Sequence, residues 1–79
     1  MSHTPHELSE EFAEHAETIH QLKQSNAHFA KLAEDYHTIN RAVHRMETRV
    51  EAVDEATEAD ARRRRLALKD EIAKMLADA

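Results

Sequence analysis

The sequence predicts an all-α protein: an antiparallel helical hairpin preceded by a shorter amphipathic helix, with coiled-coil-like packing. Two observations carry this. Phe29, Leu32, Tyr36, Ile39, Val43, Met46, Val50 and Val53 recur at alternating steps of three and four, an unbroken heptad seam that gives a helix one dry face. The 79 residues also include no glycine, no cysteine, one proline and only three Phe or Tyr, so the residues that make turns and sheets are nearly missing. A chain of this length supports one small domain, residues 1–79. Its large apolar side chains are few, and a homo-oligomer is the expected remedy for so thin a core.

The first helix is expected at about 5–23. Thr4 can cap it, Pro5 suits the first helical position, and Glu7 stands where a capping box places its carboxylate. Leu8, Phe12, Ile19 and Leu22 form its apolar stripe, with His15 filling the gap. Glu7, Glu10, Glu11, Glu14 and Glu17 meet no Lys or Arg before Lys23. This stripe is too apolar to leave in water, and a two-helix hairpin already fills its own seam. Leu8, Phe12, Ile19 and Leu22 must therefore cover either the flank of their own hairpin or the equivalent flank of another chain, and the intermolecular arrangement is the one expected.

The second helix is expected at about 27–51. Ser25 and Asn26 are better caps than interior residues, which puts a break at residues 24–26. The third is expected at about 54–77, capped by Asp54, with Ala61, Arg65, Leu68, Ile72 and Met75 along its inner seam. Two helices of nearly equal length joined by a short turn imply an antiparallel pair. Folding at residues 51–54 sets Phe29 opposite Met75, Leu32 opposite Ile72, Tyr36 opposite Leu68, Ile39 opposite Arg65 and Val43 opposite Ala61. The expected packing seam is thus Phe29, Leu32, Tyr36, Ile39, Val43 and Met46 against Leu68, Ile72 and Met75.

Leu22-Lys23, His28-Phe29, Leu32, Tyr36, Ile39-Asn40, Val43 to Glu47, Arg65 to Ile72 and Met75-Leu76 together resemble the YdcH family of short bacterial proteins. The resemblance spans roughly residues 20 to 77. Family members often carry proline where this chain has Ala27, and many carry one in the turn where it has Ala52. The resemblance implies a helical hairpin in the bacterial cytoplasm. It carries over no agreed activity and no catalytic residue.

Four features invite a chemical reading. Glu17 to His20 and Glu34 to His37 repeat the Glu-x-x-His step of di-iron bundles, but the seam puts Glu34 and His37 on the outer face of their helix. Solvated histidines are the better account, and no metal or cofactor is expected. Arg62, Arg63, Arg64 and Arg65 form a basic run, yet successive helical residues point about 100° apart, so the run wraps around the helix. Residues 41–65 hold seven basic and six acidic side chains, only +1, in a chain of net charge −5. Nucleic acid as a partner is not favoured on this footprint. Lys69-Asp70-Glu71 is accompanied by no phosphate loop or nucleophile arrangement, so the protein is not expected to be an enzyme. No run approaches the ~18 apolar residues of a membrane span, and residues 1–10 lack the basic and apolar regions of a secretory signal. The expected function is that of a non-enzymatic helical interaction or adaptor protein of the cytoplasm. Its expected partners are itself and an unidentified protein. The alternative is an RNA- or ribosome-associated factor using Arg41, Arg45, Arg62, Arg63, Arg64 and Arg65.

Overall fold

The structure is a computed structural model that describes residues 5–50 and 52–79. The expected cap Thr4, and Glu51 at the expected end of the second helix, lie outside the described residues. Among the described residues four α-helices follow in order: α1 (Leu8–Glu11), α2 (Ala16–Ser25), α3 (Ala27–Glu47) and α4 (Glu55–Asp78), with a 3-10 turn at Ala13–His15 between the first two. The all-α class read from the sequence is borne out. Among the described residues no helix is long and apolar enough to cross a membrane.

Local chemistry starts the long helices. The Asn26 side chain accepts the Phe29 N–H at 3.1 Å, and the Asp54 carboxylate accepts the Thr57 N–H at 2.8 Å. Each satisfies one of the donors that a helix N-terminus leaves open. The Thr57 side chain first, and its N–H second, hold the Asp54 carboxyl below its ordinary range by hydrogen bonding.

Three pairs of side chains show that α3 and α4 run antiparallel. Arg62 meets Glu47 at the turn end, Arg65 meets Asn40 in the middle, and His28 lies 3.9 Å from Glu71 at the open end. The apolar contacts fall into two clusters. The larger gathers Phe29, Leu32, Ala33, Tyr36, Ile72 and Leu76 with Leu8 and Ile19, and Phe12, Leu22, Leu68 and Met75 pack against it. The smaller, toward the turn, holds Val43, Met46 and Ala61, with Ile39, Ala42 and Val53 at its edge.

The segment before α3 departs from the expected single helix at 5–23. It is an arm of two short helices that folds back along its own hairpin. Leu8 and Ile19 are buried in the large cluster and Phe12 and Leu22 pack against it, so the stripe expected to face a second chain is covered within this one. A straight helix would separate Leu8 from Ile19 by about 16 Å along its axis. The bend at Phe12 (φ −129°, ψ 50°) and His15 (φ −114°, ψ 19°) brings both into one cluster. Pro5 and His6 form a turn in place of the first helical residues. Their carbonyls accept hydrogen bonds from Asn40 and Tyr36, tertiary partners that replace a helical turn.

The seam also drifts. Ile39 is only half-buried, whereas its neighbour Asn40 is 0 % exposed. With α4 on one side and the arm on the other, α3 buries a broader face than a two-helix seam needs, and Ala33 and Asn40 fall within it.

Candidate interaction surface

Two regions gather the polar side chains singled out by the sequence: the layer that holds the arm, and the turn end of the hairpin.

The first is a buried polar layer between the two apolar clusters. Asn40 donates from Nδ2 to the Pro5 carbonyl at 2.9 Å and accepts at Oδ1 from Arg65 at 3.0 Å. One turn earlier, the Tyr36 hydroxyl donates to the His6 carbonyl at 2.6 Å. Around this layer His37 Nδ1 lies 3.0 Å from Glu7, and Lys69 reaches Glu11 at 3.0 Å. The expected cationic residue Arg65 is thus turned inward, and Lys69 clamps the arm. Among the described residues, no buried side-chain nitrogen or oxygen lacks a partner. The Lys69 bond, aided by His6, holds the Glu11 carboxyl below its ordinary 4.5 against the opposing effect of partial burial.

Burial pushes the Tyr36 phenol up from 10.0 to about 12, with Glu11 adding to the rise and Arg65 opposing it. The signs of these shifts set a pH dependence. A lowered carboxyl gives stability that is present above pH 4.5 and lost as the pH falls through the folded value. A raised phenol gives stability that is intact below pH 10 and lost as the pH rises toward 12. Helicity followed from pH 8 upward should therefore fall as the phenolate absorbance of the single tyrosine rises. Tyr36→Phe should remove the part of that alkaline loss that tracks the phenolate.

Beside the layer, α2 and α3 diverge from Asn26 and leave an open cleft of about 560 Å³. Ala16, Ile19, Ala30 and Ala33 supply apolar lining, and His20 and Glu34 are among the polar residues. His37 borders the same cleft from its contact with Glu7. Among the described residues no three His, Cys, Asp or Glu side chains gather so as to hold a metal ion.

The second region is the turn end. α3 stops in a Schellman motif: the Val50 N–H returns to the Arg45 carbonyl at 3.0 Å and the Arg49 N–H to the Met46 carbonyl at 3.3 Å. The residue that must enter the left-handed region is ordinarily glycine, and this chain has none. Arg49 takes the position at φ 64°. Arg49→Gly should therefore stabilise the protein by about 0.5–1 kcal/mol in chemical denaturation, with Arg49→Ala giving no such gain.

Val50, next in the turn, is 76 % exposed, and Leu66 on α4 is 57 % exposed. Arg41 and Arg45 stand exposed one turn apart on α3, and exposed Arg49 follows them. The arginine run on α4 is largely engaged. Arg62 bonds Glu47 at 3.0 Å and also pairs with Glu58, Arg63 pairs with Asp60, and Arg65 serves Asn40. Sequence reasoning anticipated the basic turn end but not the polar layer. The signal for that layer was a polar residue, Asn40, lying next to the apolar seam with Arg65 opposite.

These features define a small all-α hairpin protein with a folded-back arm. The family described as a protein of unknown function (DUF465) matches residues 29–76, and the chain belongs to that family. It is the family of the YdcH resemblance. No curated protein and no solved structure matches the chain. The matched segment is the hairpin, and residues 5–25 of the arm lie outside it.

Proposed function

We propose that the protein is a non-enzymatic helical interaction module of the bacterial cytoplasm that meets an acidic protein surface through the turn end of its hairpin. One observation carries this reading: a valine left 76 % exposed sits at the end of an arginine column, held there by a residue in a costly backbone conformation. The hairpin seam is filled, so a coiled-coil partner has little to pair with there. The turn end offers an apolar point beside an arginine column, which suits a socket with carboxylates on the matching side.

The one-turn spacing of Arg41 and Arg45, followed by Arg49, supports a second reading as an RNA-associated factor. The pairing of Arg62 and Arg63 with acidic neighbours weighs against it. A photo-crosslinking amino acid at Val50, applied in native extract, separates the two. A protein adduct lost when Arg41, Arg45 and Arg49 become glutamine, and not seen with the probe at Leu66, supports the protein partner. An RNAse-sensitive adduct with a steep salt dependence replaces it with the RNA reading. No adduct above that from Leu66 overturns both.

A further inference from the structure

The arm joins the hairpin through a single non-helical residue. Asn26 (φ −133°, ψ 105°) closes α2 and opens α3, and its neighbours Ser25 and Ala27 are both helical. Neither glycine nor proline enforces this corner. Leu22, Phe29, Tyr36 and Val43 keep a seven-residue column across it, so straightening Asn26 yields one helix from 16 to 47, about 48 Å long, without loss of register.

In that straight form the arm leaves its own hairpin. Leu8, Phe12, Ile19 and Leu22 lose their cover, and so does the face of α3 and α4 that received them. A second copy in the same state presents the complementary surface. The polar contacts between arm and hairpin are equally transferable, because they join residues at least 30 positions apart: His6 to Tyr36, Glu7 to His37, Pro5 to Asn40 and Glu11 to Lys69. In the closed form the corner at Asn26 holds α2 apart from α3, and the cleft of about 560 Å³ lies between the arm and α3.

We propose that two copies of this chain exchange residues 5–25, each arm docking on the partner's α3 and α4 in a two-fold symmetric dimer. Asn26 is the hinge: its side-chain bond to the Phe29 N–H holds the corner of the closed monomer. This deepens the interaction reading by naming a second copy as one partner, and it uses none of the turn-end residues.

The chain has no cysteine, so single thiols can be placed cleanly. Glu7→Cys and His37→Cys chains, mixed at high micromolar concentration and oxidised, should form a heterodisulfide. Its yield should exceed that of Glu7→Cys with Lys74→Cys by about tenfold, because exchange raises the effective concentration of the first pair alone. Asn26→Leu removes the cap and favours a straight helix, and should tighten the dimer about fivefold by sedimentation. Five Gly-Ser residues inserted after Asn26 relieve the corner and should weaken the dimer. Equal heterodisulfide yields in the wild-type background overturn the exchange. So does an insertion that leaves association unchanged, or a folded Asn26→Leu chain that stays monomeric at high micromolar concentration. Arg41→Gln with Arg49→Gln should leave the yield unaltered, so that failure of the turn-end reading and failure of the exchange are told apart.

Discussion

Asn40→Ala should lower the unfolding free energy by about 2–4 kcal/mol, because one substitution orphans two half-buried groups. The Pro5 carbonyl loses its donor, and the Arg65 guanidinium loses the acceptor that makes its position between the apolar clusters tolerable. The charge is the larger part of the cost, since an uncompensated cation in a half-dry layer has no cheap alternative. Asn40→Leu, although apolar and larger, should be nearly as damaging for the same reason. Asn40→Leu combined with Arg65→Met should recover most of the loss, because both partners are then removed together. A cycle of urea denaturation curves over the wild type, Asn40→Leu, Arg65→Met and the double variant checks this: additive effects, with no recovery in the double variant, would show that Asn40 and Arg65 do not act as a pair.

The second large effect belongs to the deep core. Phe29 and Ile72 are both 0 % exposed and meet in the larger cluster, where the arm, α3 and α4 converge. Phe29→Ala should cost about 3–5 kcal/mol and Ile72→Ala about 2–5, from lost burial and the cavity left behind. A domain this small typically has only ~3–5 kcal/mol to lose. Either variant should therefore be largely unfolded at 25 °C by circular dichroism, whereas Val50→Ala, at the exposed turn, should change stability by less than about 0.5 kcal/mol. A Phe29→Ala protein that keeps its helicity and melting midpoint would contradict the packing described.

Those residues also show how much of the fold the sequence disclosed. Phe29, Leu32, Tyr36, Val43 and Met46 are legible because helical burial is periodic, and Asn26 and Asp54 because capping is decided within three residues of the cap. The arm's apolar stripe and its break at residues 24–26 were legible, but its bend and its start were not. Thr4, Pro5 and Glu7 resemble a helix start, yet the Pro5 and His6 carbonyls are spoken for by Asn40 and Tyr36, more than 29 positions away. No local rule reports that competition. Asn40 itself was hidden by the assumption of a single packing partner: with one neighbour Ile39 is the seam residue, and with two the buried face widens by a residue. Of the candidate surface, the arginines were readable as charge, but which of them are consumed inside the molecule depends on side-chain meetings such as Arg62 with Glu47 that only the hairpin creates.

The division of the apolar contacts into two unequal clusters has a dynamic consequence. The larger is sealed by three segments of chain, while Val43, Met46 and Ala61 near the turn are held by the hairpin alone. Local opening costs least where few apolar contacts must be broken, so the molecule should fray from the turn inward. Amide hydrogen exchange should be fastest for residues 44–47 and 58–61 and slowest for 32–36 and 72–76. The end that carries Arg49 and Val50 is then also the end whose backbone can reshape most cheaply. A partner arriving there meets a surface that can remould itself against it while the far end of the molecule stays rigid.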